Sequence, residues 1–268
     1  MLELPRADEE KSDRQFVTAL ARGLEVLRAF RPEDGPLGNQ ELAERSGLPK
    51  PTVVRLTHTL TMLGYLEYVP RFAKYRIGLG VLALGHECIG GAALRHVAQP
   101  HMQELADYAG TAVALGGRDR LSMIYLDVYR GAHTSAFSLA PGARIPIYKS
   151  AMGTAYLWAL PAKEREFLMS AIRQRTDEEW PAIKRQLDTG FKSLDRAGFC
   201  IAEGTYDRAI NGAGAVLVLQ GSNEIYAFSC SGAAFHLTAA RLKDDIGPRL
   251  AALTNIVGTE LNRQTRRF

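Results

Sequence analysis

Lys50, Arg55 and His58 stand in a stretch, Ser46 to Leu66, that contains no carboxylate. Basic groups on a helix free of Asp and Glu suit a phosphate backbone, which each acidic side chain would repel. Val53, Leu56, Leu60 and Leu63 recur at helical spacing, so one side can be buried. Thr52, Arg55 and Thr59 fall on the opposite side, flanked by Pro51, Val54 and His58. This pattern predicts a recognition helix. Thr52, Val54 and Arg55 are the candidates for the major groove, Val54 against a thymine methyl and Arg55 against guanine or phosphate. Lys50 and His58, with Arg71 and Lys74 downstream, are the candidates for phosphate contacts.

Catalytic chemistry leaves a fainter trace. Cys88, Cys200 and Cys230 are far apart and odd in number, with neither zinc-site spacing nor a disulfide framework. They read as reduced, mostly buried thiols. A nucleophile at Cys200 or Cys230 with His236 or His133 as base would need a positioned pair. The chain has no Gly-x-Ser-x-Gly elbow, no His-Glu-x-x-His helix and no phosphate-binding Gly loop. An enzyme is not expected, nor a metal or cofactor.

The basic stretch needs elements to present it. Val17, Leu20, Leu24 and Leu27 make the apolar stripe of a first helix near residues 14 to 31. Asn39 to Arg45 is a short helix that Asn39 can cap. Ser46-Gly-Leu48 is then the turn of a helix-turn-helix, Gly47 supplying a positive φ. Tyr65–Val69 and Tyr75–Ile77 read as a hairpin whose tip, Pro70 to Lys74, forms a basic wing. The order of helix, short helix, Gly turn, acid-free helix and basic hairpin is that of a winged helix-turn-helix over residues 14–78. Such a fold binds double-stranded DNA or, in some cases, only protein.

A length of 268 residues accommodates two domains, and 46% apolar with 23% charged residues is a globular composition. No apolar run is long enough for a transmembrane helix. The start of the chain is acidic and lacks the basic and apolar regions of a signal peptide, so a cytoplasmic protein with no membrane partner is expected. Residues 1–13, with two basic and five acidic groups, read as an unstructured acidic leader. Residues 14–80 hold ten basic and six acidic groups, the most basic part per residue, as DNA binding requires.

Beyond Ile77 the pattern changes. Residues 79–95 read as an apolar linker helix that Gly90-Gly91 breaks or kinks, and Val81 to Ile89 is hydrophobic enough to be a dimer contact. From Ala98 to Tyr108 a helix resumes. Ala112–Leu115 and Met123–Val128 then read as strands around a Gly116–Arg120 turn, and Gly214–Leu219 and Ile225–Ser231 as a second pair. Helices fall near 150–160, 163–174, 178–197 and 238–263. Residues 96–268 thus predict an antiparallel α+β domain of the GAF or PAS kind.

Taken together, these blocks resemble the IclR family of bacterial transcriptional regulators over nearly the whole chain. The likeness lies in Ala21-Arg-Gly-Leu-Glu-Val-Leu27, Glu41-Leu-Ala-Glu-Arg-Ser-Gly-Leu48, Thr52-Val-Val-Arg-Leu56 and Leu63-Gly-Tyr-Leu66. It continues through Pro141-Gly-Ala-Arg-Ile-Pro-Ile147, Ser150-Ala-Met-Gly-Thr-Ala155, Gly198-Phe199 and Ser229-Cys-Ser-Gly232. The family often has Lys where this chain has Thr154, and Ala-x-Pro where it has Gly214-Ala-Val216. The resemblance implies a winged helix, a linker helix and a GAF-like effector domain, assembled as homodimers or tetramers on a palindromic or near-palindromic operator. It also implies a small organic ligand beside the helix that follows Pro146-Ile-Tyr-Lys-Ser150. Carried over, the contacts are Ser150 and the backbone N–H groups of Ala151 and Met152, which suit a carboxylate because a helix N-terminus is electropositive. Ser229 and Ser231, two apart on one strand, point to the same face. Asn211 offers an amide, and either Glu203 or Asp207 matches the family's acidic position.

Overall fold

A computed structural model of the chain describes residues 15–31, 34–88, 92–132, 139–219 and 221–265. The expected acidic leader, the Gly90-Gly91 break and His133 lie outside them. The chain divides into two compact units, Met1–Gly90 and Gly91–Phe268.

The first unit is built of α1 (Thr18–Arg28), α2 (Asn39–Ser46), α3 (Lys50–Met62), the hairpin β1 (Leu66–Val69) and β2 (Lys74–Ile77), and α4 (Leu79–Cys88). Gly47, at φ +68°, ends α2 in the left-handed conformation that glycine adopts most readily. Pro49 and Pro51 then start α3, where a missing N–H costs nothing. Val26, Leu37, Leu42, Val53, Leu60 and Leu66 make the core. Leu37 bridges to Tyr75, each N–H donating to the other's carbonyl at 2.8 Å.

Two local expectations change. Asn39 does not cap α2. Gly38 precedes the helix, and the Glu41 carboxylate reaches back to accept from the Gly38 N–H at 2.7 Å. The Asn39 side chain instead accepts from the buried Thr57 hydroxyl at 3.0 Å, tying α2 to α3. Nor does the Val17–Leu20–Leu24 stripe of α1 enter the core. Gly23, Val26 and Ala29 face inward, and Leu20 and Leu24 stay 62% and 50% exposed. Helix α1 is apolar on two adjacent faces, and periodicity alone does not say which one its own unit covers.

The second unit contains α5 (Ala92–Ala109), β3 (Ala112–Asp119), β4 (Ser122–Arg130), β5 (Arg144–Pro146), α6 (Ala151–Ala159), α7 (Ala162–Thr176), α8 (Trp180–Ala197), β6 (Cys200–Glu203), β7 (Ile210–Val218), β8 (Ile225–Ala233) and α9 (Gly247–Thr265). A short turn, Ala239–Arg241, and a π-helical turn, Leu242–Ile246, lead into α9. The six strands form one sheet in the order β5-β4-β3-β8-β7-β6, antiparallel at every pairing. Its larger core lies against α5 and α9, with Phe228, Leu115, Met102 and Leu250 fully or almost fully buried. The smaller packs Ala151 and Ala155 of α6 and Leu194 of α8 over Cys200 and Ala202. Strands β3 and β4 extend through the expected Gly116–Arg120 turn and reverse at Arg120, φ +56°. Strands β5 and β6, of three and four residues, are too short to leave a period in the sequence.

Candidate nucleic-acid interface and ligand pocket

On α3 the outward residues Lys50, Val54, Arg55 and His58 are exposed, whereas Thr52 is half-buried. Thr52, Arg55 and Thr59 border an apolar groove of about 680 Å³ that Leu20 and Leu24 of α1, Leu63 and Leu84 also line. Lys50, Arg55 and Arg71 carry no ion pair among the described residues, so their charges are available to an anion. The Arg71 guanidinium lies 5.3 Å from the centre of the Phe72 ring at the tip of the wing. Lys74 is differently placed. Its Nζ is 2.9 Å from Glu41 Oε2, and this contact, helped by the Gly38 N–H, holds the Glu41 carboxyl below its usual range. Lys74 therefore ties the wing to α2 as well as adding charge near it. Arg76 pairs across the hairpin with Glu67 at 2.7 Å.

The second candidate site is a cavity of about 40 Å³ on the α6 side of the sheet. Ser150 caps α6. It is extended, with φ −143°, and its Oγ accepts from the Gly153 N–H at 3.0 Å. The first N–H groups of this helix, on Ala151 and Met152, have no acceptor within it. Close approach of the helix to the sheet depends on Gly214, where a Cβ would run into the Ala151 carbonyl. Ser229 and Ser231 of β8 pair with Gly214 and Gly212 of β7 on one side, and with Ala114 and Ala112 of β3 on the other. The bare neighbours leave a hollow, and both hydroxyls open into it without a hydrogen bond among the described residues.

Ser150, Ala151, Met152, Asn211, Ser229 and Ser231 are thus brought together on one cavity. Asn211 is committed, however. Its Oδ1 accepts from the Gly204 N–H at 3.1 Å and its Nδ2 donates to the Leu237 carbonyl at 2.9 Å, so the amide braces the walls. Glu203 and Asp207 do not line the cavity. Glu203 is exposed at the end of β6, and the exposed Asp207 turns back to accept from the Ala209 N–H at 2.8 Å. Sequence reasoning missed Tyr125 on β4, Lys149, and Thr205 and Tyr206 on the β6–β7 loop. Tyr125 had one legible signal, its place among alternating strand residues. The others are placed only by folding. Thr205 donates to the Lys149 carbonyl at 2.9 Å, and Lys149 Nζ lies 3.8 Å from Glu179.

Neither thiol is poised for catalysis. Burial pushes Cys200 and Cys230 up to about 12, and Cys200 donates to the Ala151 carbonyl at 3.3 Å. The His236 ring meets the Ala109 carbonyl at 2.8 Å and the Arg241 guanidinium at 3.0 Å. Among the described residues no cluster of His, Cys, Asp and Glu could hold a metal, and no helix is long and apolar enough to cross a membrane.

Residues 19–70 match the IclR helix-turn-helix domain, and residues 86–256 match the bacterial transcriptional regulator IclR C-terminal domain. The chain belongs to the IclR family. The HTH-type transcriptional regulator TsaQ1/TsaQ2 of Comamonas testosteroni is 33% identical over 254 residues, covering 94% of this chain and 91% of that protein. A crystal structure of an IclR family regulator from Brucella abortus superposes with a TM-score of 0.82 at 44% identity, covering 97% of this chain and 98% of the other. An IclR homologue from Microbacterium hydrocarbonoxydans, crystallised with 4-hydroxybenzoate, shares the fold with a TM-score of 0.70 at 21% identity, covering 91% and 99%. This IclR family member is accordingly a DNA-binding transcriptional regulator, and its matched relatives are regulators rather than enzymes. Both units have the expected fold, a helix-turn-helix with a wing followed by an antiparallel α+β domain.

Proposed function

We propose that this regulator binds a palindromic or near-palindromic operator as a homo-oligomer, and that a small organic acid in the C-terminal cavity changes its operator affinity. At the DNA, Val54 and Arg55, with Thr52 at the margin, read bases in the major groove, and Lys50, His58, Arg71 and Lys74 contact phosphates. The observation that carries the effector reading is the Ser229 and Ser231 hydroxyls, unpartnered among the described residues and set with the α6 N-terminus around a cavity that no described carboxylate lines. Helix N–H groups and hydroxyls can hold a carboxylate without a buried cation. A fold relative crystallised with 4-hydroxybenzoate supports a ligand of this class.

A single winged helix touches few base pairs, so specificity calls for at least two copies. The exposed apolar side chains of α1, the end of α3 and α4 (Leu20, Leu24, Leu63 and Leu84) form a patch suited to a second copy of the chain. In the cytoplasm, the acid shifts the balance between two arrangements of that assembly. A coupling of about 1–3 kcal/mol is typical of two linked binding sites.

Recovery of bound genomic fragments identifies the operator, and titration of that DNA with organic acids tests the switch. Arg55→Ala should weaken specific binding by about 1–3 kcal/mol. Unchanged operator affinity in that variant removes Arg55 from the interface. A Ser229→Ala, Ser231→Ala double variant that still binds a responsive acid at full strength places the effector elsewhere.

A further inference from the structure

On the reading of the cavity as an effector site, we propose that Tyr125 selects among acids. Its hydroxyl hydrogen-bonds a second oxygen, an oxo or hydroxyl group, on a short-chain carboxylic acid whose carboxylate sits at the start of α6.

Tyr125 is only 5% exposed and lines the cavity, yet its hydroxyl makes no hydrogen bond among the described residues. A phenol hydroxyl that opens into a cavity without a protein partner is free to bond a ligand oxygen. Its electrostatic neighbour is Tyr206, on the β6–β7 loop at the cavity wall. The phenol also enters from the far side of the site. Helix α6 starts over Gly214 on β7, and β4 lies three strands away, a backbone separation of about 14 Å. A ligand with its carboxylate on the α6 N–H groups therefore presents its other end towards Tyr125.

The strand is irregular where this matters. The β3–β4 register shifts so that Leu115 faces Asp127 while Gly116 faces Tyr125, leaving Leu126 as the extra residue. In an unbroken strand Asp127 would share a face with Tyr125. Here it accepts from Arg95 of α5 at 3.0 Å and from the Tyr129 hydroxyl at 2.9 Å, alongside Leu126 and Tyr129, which pack on the α5–α9 core. The bulge turns a buried carboxylate away from the cavity and leaves the neutral phenol in it. Donors suited to a carboxylate and to one further oxygen result, with no negative charge to oppose them.

Size narrows the class. A cavity of about 40 Å³ admits about three waters. At about 30 Å³ of liquid each, these make about 90 Å³, the volume of an acid of about two or three carbons.

Calorimetric titration of the full chain with lactate, pyruvate, propanoate and benzoate tests this directly. Lactate or pyruvate should bind at least about tenfold tighter than propanoate. In Tyr125→Phe that preference should vanish, with propanoate unchanged, because a site built to bond an oxygen discriminates against analogues lacking it. The thermal midpoint of Tyr125→Phe should hold or rise, since no protein partner is lost. A preference that survives in Tyr125→Phe, a fall of several degrees in its midpoint, or benzoate as the tightest ligand overturns the proposal. Wild-type protein that binds none of these acids, nor any other acid that alters operator affinity, overturns the effector reading beneath it.

Discussion

The outward side of α3 and the cavity over the sheet differ in how many parts of the chain make them. The first comes from one helix whose buried side is anchored by Val53, Thr57 and Leu60, so its exposed groups follow one another along the sequence. The second assembles the α6 N-terminus, two serines of β8, a tyrosine of β4 and a loop after β6 around two glycines of β7. One site is exposed, positively charged and tolerant of small changes. The other is a recess that no described carboxylate lines, and it depends on close packing. A contiguous surface can be altered one residue at a time, whereas an assembled hollow fails together.

The sharpest contrast is Gly214→Val against Val54→Ala. The new side chain at 214 would drive into the Ala151 carbonyl. It should destabilise the Gly91–Phe268 unit by about 3 kcal/mol, seen by scanning calorimetry, and abolish acid binding. Val54→Ala, at an exposed position, should move stability by less than about 0.5 kcal/mol while weakening the operator complex. Equal stability losses in the two variants would erase the distinction.

Ser150→Ala is intermediate. Loss of the cap to Gly153 should cost about 1 kcal/mol and loosen the helix end that faces the ligand. A variant as stable as the parent and equally able to bind acid would mean that the cap is dispensable to the pocket.

The smallest effect is at the wing. Lys74 holds the Glu41 carboxyl below its usual range, so this contact stabilises the first unit in full at pH above that range and is lost as pH falls on through the lowered value. Glu41→Gln should therefore be slightly destabilising at neutral pH and indistinguishable from the parent in strong acid. It also removes a carboxylate beside the wing while leaving Lys74 on its phosphate, so DNA binding should tighten slightly at low salt. An affinity at low salt unmoved by Glu41→Gln would show that this part of the wing stands away from the phosphates.

Most of the first site was legible because helical periodicity and the absence of carboxylates are properties of a continuous segment. Lys50, Val54, Arg55 and His58 emerge exposed as their spacing requires. Periodicity failed on α1, where two apolar faces compete and only packing shows that Val26, not Leu24, enters the core. The pocket was legible only where a local signal existed. Ser150 stands at a helix start, and Ser229 and Ser231 alternate along a strand. Asn211 lines the cavity, but its amide is spent on Gly204 and Leu237, two partners that no spacing rule brings together.

By itself the sequence determined the order of elements, the acid-free helix with its Gly47 turn, and the serines that share a strand face. Each rests on local stereochemistry or on a repeat of a few residues. Only the tertiary structure decided that Glu203 and Asp207 stay outside the cavity, that a bulge turns Asp127 towards Arg95, and that the Tyr125 hydroxyl has no hydrogen bond among the described residues. Those outcomes depend on the register between strands and on how closely a helix approaches the sheet, and both arise from contacts between residues distant in the chain.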